Sequence, residues 1–504
     1  MNDAARDRFA GHEALTGHGR TALRADALAI AAEALAAVDP VVALRDVIRI
    51  DGEQLVVRGA PWAGLRPPAE GAAAGAPESR GGVAAAETVI PLAGRRVVVL
   101  GAGKATIGMA AFLDDLLGDR IGAGCVVVKR GQRRDLRRIE VIEAAHPVPD
   151  EDSLAGGRRL LELATEAGPG DLVIGLVTGG SSALAALPAK GLSMADKVAT
   201  NRLLLGCGAD IVAINNVRKH LSRIKGGRLA RACGCDIVNF TVSDVVGDPL
   251  DCLTDLLVPD RSTWRDAQVT CDRFALWDRL PEAAVARLRS ADPGEETPKE
   301  LPAICTWVVA DAARMCAAAA AAAGRLGYAA RVLGLDLEGE AAGAGRRVAD
   351  EIAAAPPRTC LVAGGENTVT LPDPVVASGG GAERRQADRL DADGGPSQEA
   401  ALAAAQALVA DPALADAPGG RMDLPEARPV CLLCIDSDGT DGPTDSAGGL
   451  VDDLTAAAAA AAGIDLESAL DGHVAGSALA ALGDLVVTGP TGTNVNDLKV
   501  ALRG

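Results

Sequence analysis

Five short loops rich in Gly, Ser, Thr and Asp stand where apolar runs end. They are Gly101-Ala102-Gly103-Lys104, Thr178-Gly179-Gly180-Ser181-Ser182, Ser243-Asp244-Val245-Val246-Gly247-Asp248, the stretch 437–445, and Thr488-Gly489-Pro490-Thr491-Gly492-Thr493-Asn494. Glycines let backbone N–H groups close on an anion, and a helix N-terminus adds a positive field. Lys104 contributes a point charge, hydroxyls donate hydrogen bonds, and carboxylates can share a divalent ion with substrate phosphates. The repeated arrangement points to an enzyme that handles phosphate groups.

Rival motifs fit less well. The spacing Gly-x4-Gly-Lys-Ser/Thr of a P-loop is missing around Lys104. A dinucleotide fingerprint needs its third glycine three residues after the second, whereas Gly108 follows Gly103 by five. The loop 178–182 lacks the Gly-x-Ser-x-Gly elbow of serine hydrolases and a nearby histidine in sequence, so it reads as a phosphate cradle rather than a nucleophile. Asp436, Asp438 and Asp441 miss the EF-hand spacing by one residue and no Glu closes the loop, which favours Mg2+ over Ca2+; Asx-turn chemistry is expected to account for at least one of the recurring acids. Between Arg218 and Arg228 five Lys or Arg residues fall within a chain that carries 50 basic and 68 acidic residues. Arg218, His220 and Lys225 cannot share one helical face, so about half of this segment is expected to be solvated surface. The remainder would offer charge to a carboxylate or nucleotide.

The elements that must hold these loops alternate. A strand at 97–100, a helix at 106–117, a strand at 124–129, a helix at 152–167 and a strand at 172–178 are followed by helices at 193–206 and 214–232 and a strand at 236–242. That order predicts a parallel sheet covered on both faces. Ligands bind such sheets at the carboxyl ends of the strands, where these loops fall. A second α/β block is expected from a strand at 306–309 onward, with a helix at 446–462 and a last strand at 484–487. Residues 1–20 read as a flexible tail, 21–300 as the N-terminal domain with an insertion at 58–87, and 301–504 as the C-terminal region with a mobile loop at 371–397.

The net charge of −18 argues against nucleic acid or an anionic membrane as partner. No run reaches the roughly 18 apolar residues of a membrane helix. The opening residues lack the apolar core of a signal peptide, and eleven cysteines suit a reducing compartment, so a cytoplasmic location is expected. Cys431 and Cys434 have CxxC spacing inside a strand-like run and read as buried thiols.

Taken in order, the motifs resemble the type II glycerate kinases, the family with a C-terminal MOFRL domain. The matching segments include 101–105, His146-Pro147-Val148-Pro149-Asp150, 179–183, 216–230, 243–251, 364–368, 438–448 and the tail 488–497. The resemblance implies a Rossmann-like N-terminal domain and a MOFRL domain at about 357–500. It also implies a cleft between them in which ATP phosphorylates D-glycerate at O2 with Mg2+. In the family the lysine matching Lys104 is catalytic. Asp244 and Arg218 are the other expected catalytic residues, Arg218 for the glycerate carboxylate. Gly101, Gly103, Gly179, Gly180, Ser181, Ser182, Gly489, Thr491, Gly492, Thr493 and Asn494 are expected to bind nucleotide or phosphate, and Asp441, Asp445 and Asp248 the metal. The expected partner is a small hydroxy acid, and a homodimer is compatible with the chain.

Departures cluster at functional motifs. A family arginine is replaced within Gly394-Gly395-Pro396-Ser397-Gln398-Glu399, and other family stretches become Thr254-Asp255-Leu256-Leu257, Ala310-Asp311-Ala312-Ala313 and the segment 472–477. Arg384 or Arg385 would be the substitute cation. Two other readings therefore stand beside the kinase: a paralogue that binds a phosphorylated metabolite without catalysis, and a hydroxypyruvate reductase.

Overall fold

The computed structural model describes residues 6–62, 87–245, 250, 254–301, 303–371, 393–408 and 429–504. They form two compact units. One comprises Pro40–Ser243 and Asp248–Val309; the other comprises Met1–Asp39, Asp244–Gly247 and Ala310–Gly504.

The first unit is built on a six-stranded sheet in the order Glu140–Ala144, Ile121–Lys129, Val97–Ala102, Leu172–Val177, Asp236–Val242, Ile304–Ala310. The first five strands pair in parallel. Val97, Val98, Val99 and Leu100 are buried on both faces, as expected for a parallel strand covered by helices. The chain runs outward from Val97–Ala102 through two strands, then returns to pair Leu172–Val177 on the other side. The strand order therefore reverses between these two neighbours, and their carboxyl ends form the switch point at which open α/β sheets bind ligands. A small antiparallel sheet, Ile48–Asp51, Gln54–Arg58 and Glu87–Pro91, joins the same unit. Most of the expected insertion, residues 63–86, lies outside the described residues.

The second unit carries a mixed six-stranded sheet: Ala329–Gly334, Thr359–Gly365, Asp497–Arg503, Val430–Asp436, Gly448–Asp452, Leu485–Val486. Only the first pair is parallel. Asp497–Arg503, a strand absent from the sequence reading, lies near the middle with every residue buried. The stretch 446–462, expected as one helix, divides into strand Gly448–Asp452 and helix Thr455–Ala461. Gly448 explains the division: at φ +155° it lies so close to the Cys434 carbonyl that a Cβ would sit 1.9 Å from its oxygen. Cys431 and Cys434 are buried in strand Val430–Asp436 as unpaired thiols.

Two boundaries differ from expectation. Ile304–Ala310 is an edge strand of the first sheet and does not open the second block. Residues 6–20 are not loose either. Phe9 is buried, Arg20 pairs with Asp453, and the buried Arg24 guanidinium reaches Asp452 at 2.5 Å and Asp484 at 2.7 Å. A buried cation is tolerated only when paired, so these contacts tie the N-terminal segment into the second unit. Among the described residues no single helix is long and apolar enough to cross a membrane.

Candidate functional site

At the switch point the loops 101–104 and 178–182 are one structure. A Cβ on Gly103, whose φ is +146°, would lie 2.0 Å from Thr178 Oγ1, and one on Gly101 would lie 2.7 Å from the Leu176 carbonyl oxygen. Glycine is required here for two strand ends to touch. The N–H groups that follow Gly101 are taken up within the protein. Gly103 N–H donates to Val127 O (3.1 Å), Lys104 N–H to Gly179 O (2.9 Å) and Ala105 N–H to Thr178 Oγ1 (3.2 Å). What this loop contributes is the half-buried Lys104 side chain.

The second loop keeps its donors. The N–H groups of Gly179, Gly180 and Ser182 have no acceptor among the described residues, whereas Ser181 N–H is bonded to Thr178 O. Gly180, at φ +84°, lies under Lys104 and His146: its Cβ would stand 3.1 Å from Lys104 Cγ and 3.2 Å from His146 Nε2. Loss of water, with Lys104 and Lys129 nearby, pulls the His146 pKa down to about 4. The ring is neutral at physiological pH and can accept or donate a hydrogen bond.

At the other end of this loop stands a buried cation. Lys225 Nζ donates to the Ser182 carbonyl at 2.5 Å and to the Ser182 hydroxyl. Lys225 is fully buried and Lys197, on helix Met194–Leu205, is 3% exposed. Burial, then Lys197 and Arg218, holds the Lys225 pKa well below its usual range. Burial and Arg218 bring Lys197 down to about 8, and burial lowers Arg218. Arg218 Nε donates to Asn201 Oδ1 at 3.2 Å. Three basic side chains whose charged forms are disfavoured by burial, the two lysines also by their basic neighbours, stand beside open N–H donors and are suited to an anion that would compensate their charge.

The helix expected at 214–232 is broken, and the break assembles this cluster. Helix Ile211–His220 ends, Gly226 and Gly227 adopt φ +60° and +74°, and helix Arg228–Ala232 begins. The basic segment is less solvated than expected, with Arg223 its only exposed Lys or Arg between 218 and 228. Lys219 is paired with buried Asp260 at 2.5 Å, and His220 with Glu296 at 2.8 Å. Lys197 carries no signal in the sequence as a lone lysine within helix Met194–Leu205; only its burial reveals it.

In the second unit the loops 437–445 and 488–497 are knitted together. Thr491 N–H donates to Asp438 O (3.1 Å), Val495 N–H to Ser437 Oγ (2.8 Å), and a Cβ on Gly439 would stand 2.1 Å from Gly489 O. Among the described residues the N–H groups of Gly489, Gly492 and Asn494 have no acceptor, and the buried Thr493 hydroxyl has no partner. This loop retains the donors of an anion cradle. Loss of water, then Asp438 and Asp497, raises Asp436 to about 8.

Of the three expected metal acids, Asp441 and Asp445 are among the described residues. Asp441 Oδ1 and Oδ2 accept Ser397 N–H (2.9 Å) and Gln398 N–H (2.7 Å), so its carboxylate caps helix Pro396–Ala407. Asp445 is exposed, and Asp248, Arg384 and Arg385 lie outside the described residues. Asp244 is half-buried beyond strand Asp236–Val242 and groups with the second unit. Among the described residues no three His, Cys, Asp or Glu side chains are placed to hold a metal ion.

Comparison with known proteins adds relatives to this geometry. Residues 26–289 match the family described as a domain of unknown function, DUF4147, and residues 359–497 match the MOFRL family. The chain is 34% identical to glycerate 2-kinase of Pyrococcus horikoshii, over 95% of this chain and 97% of that one. It is 38% identical to an Agrobacterium vitis protein named as a hydroxypyruvate reductase, over 81% of this chain and 87% of that one. A crystal structure of glycerate kinase from Thermotoga maritima superposes with a TM-score of 0.68 at 35% identity, covering 81% of this chain and 91% of that one. The chain belongs to the DUF4147–MOFRL family, whose members include the glycerate 2-kinases.

Proposed function

We propose that this chain is a glycerate 2-kinase that transfers the γ-phosphoryl group of ATP to O2 of D-glycerate. The observation that carries the reading is the loop 179–182, with open N–H groups between Lys104 on one side and the Lys225–Lys197–Arg218 cluster on the other. Phosphoryl transfer needs positioning and charge more than covalent chemistry, and this arrangement offers both.

In this reading Arg218, Lys197 and Lys225 hold the glycerate carboxylate, and its negative charge restores the protons that burial disfavours. Substrate O2 attacks the γ-phosphorus, the bond from that phosphorus to the ADP oxygen breaks, and Asp244 accepts the hydroxyl proton. Lys104 stabilises charge on the transferring group, worth several kcal/mol in a site that excludes water. The open N–H groups of the 488–494 loop are suited to bind a phosphate. Asp441 caps helix Pro396–Ala407 and Asp445 is exposed, while Asp248 lies outside the described residues, so the chemistry is carried here by the side chains alone.

The reductase reading meets an obstacle in the glycines. Gly108 sits in helix Thr106–Leu117, where a Cβ would lie 2.9 Å from Val41 Cγ2, so it serves helix packing and not a pyrophosphate. One pair of assays tests the proposal. D-glycerate-dependent ADP formation from ATP is expected, and hydroxypyruvate-dependent NAD(P)H oxidation is not. The reverse outcome would replace the kinase with the reductase.

A further inference from the structure

A second cationic pocket in the first unit is independent of the site above. Its volume is about 260 Å3, and Lys190, Ser222, Arg223, Arg228, Arg231 and Glu295 line it. Arg228 is 5% exposed; its Nη1 donates to the Glu295 carbonyl at 2.9 Å, while Nε and Nη2 have no hydrogen-bond partner. A buried guanidinium edge without an acceptor costs free energy, and native proteins rarely leave one unmatched. The one acid in the lining, Glu295, is already paired with Arg287 at 2.7 Å. Exposed Lys190, Arg223 and Arg231 rim the opening.

We propose that this pocket binds a small phosphate-bearing metabolite, with the Nε and Nη2 edge of Arg228 as its buried anchor. That edge presents two parallel N–H donors, the geometry that pairs with two oxygens of one phosphate. The volume suits a phosphomonoester of a few carbons and is too small for a nucleotide. Burial, with Arg231 and Arg287 nearby and only partly offset by Glu295 and Glu296, draws the Arg228 pKa down to about 10. The pocket is distinct in its residues from the Lys104 loop. Lys225 faces Ser182, the left-handed Gly226 and Gly227 follow, and Arg228 opens the next helix.

Isothermal titration of the full chain with inorganic phosphate and with glycerol 3-phosphate tests this. Saturable binding is expected, and a Lys190→Ala/Arg223→Ala double variant, changed only at exposed positions, is expected to bind roughly tenfold more weakly or worse. Arg228→Lys, which keeps the charge but loses the fork, is also expected to weaken binding, with circular dichroism confirming that the variant is folded. Equal affinity for the two probes would identify free phosphate as ligand; tighter binding of glycerol 3-phosphate would identify an organic phosphate. Isotherms that superimpose for wild type and both variants, or no saturable binding of either probe at millimolar concentration, would overturn the proposal.

Discussion

Nδ1 of His473 lies 3.0 Å from Oε2 of Glu399. This contact joins two segments, 394–399 and 472–477, at which the chain departs from the family pattern. Asp393 strengthens the join: its backbone carbonyl accepts Gly476 N–H at 2.7 Å, its N–H donates to the His473 carbonyl at 3.0 Å, and its carboxylate accepts the Ser477 hydroxyl. Two of the four departing segments are therefore in direct contact with each other. The positive φ of His473, +52°, is part of that arrangement.

Restoring the arginine needs only one of the two positions. Pro396 is half-buried at the first turn of helix Pro396–Ala407, where proline is favoured but replaceable. Ser397 is fully buried, and its hydroxyl already lacks a partner. Pro396→Arg is expected to fold and to raise glycerate turnover. Ser397→Asn is expected to cost about 1–3 kcal/mol through overpacking. Denaturant unfolding and steady-state rates of each single variant check both statements.

Lys104→Ala is expected to lower kcat by a factor of roughly 10² or more with little change in melting temperature, because the ammonium acts mainly on the transition state. Full turnover in this variant would remove Lys104 from the chemistry.

The cation cluster predicts a pH dependence. Lys197 is charged below about pH 8 and neutral above it. An anion that needs the charge should bind with a constant KM below that value and a rising KM as pH passes through it. Lys197→Met is expected to raise the KM for glycerate roughly tenfold at pH 7, equivalent to ~1.4 kcal/mol, and to abolish the rise near pH 8. Initial-rate profiles from pH 6 to pH 9 would reveal both effects.

Asp441 separates a structural from a metal role. Asp441→Ala leaves two buried N–H groups of helix Pro396–Ala407 without acceptors. A loss of about 1–3 kcal/mol in stability is expected, with the Mg2+ concentration dependence of turnover unchanged. A shifted Mg2+ dependence at unchanged stability would return Asp441 to the metal.

The parallel sheet of the first unit was legible because apolar strands at 97–100, 124–129, 172–178 and 236–242 are separated by helices; its edge strand Glu140–Ala144, which follows Ile121–Lys129 without a helix, was not. Asp497–Arg503 was not, because a strand that pairs with Thr359–Gly365 and Val430–Asp436 depends on partners distant in sequence. The same limit applies to the site. Lys104 and the 179–182 loop stand out locally, since glycines and hydroxyls mark the turn. Lys197 gains meaning only when folding brings it to Arg218 and Lys225, and the role of Gly101 and Gly103 in close packing shows only when Thr178 lies against them. Pro396 read as a lost cation, whereas its place at a helix start and the cap from Asp441 belong to tertiary structure.

Phosphoryl transfer to O2 of D-glycerate can be followed by phosphorus NMR of wild-type protein incubated with ATP, Mg2+ and D-glycerate. Growth of the 2-phosphoglycerate resonance in step with ADP is expected. An unchanged ATP spectrum, or phosphate appearing on O3 of glycerate, would contradict it.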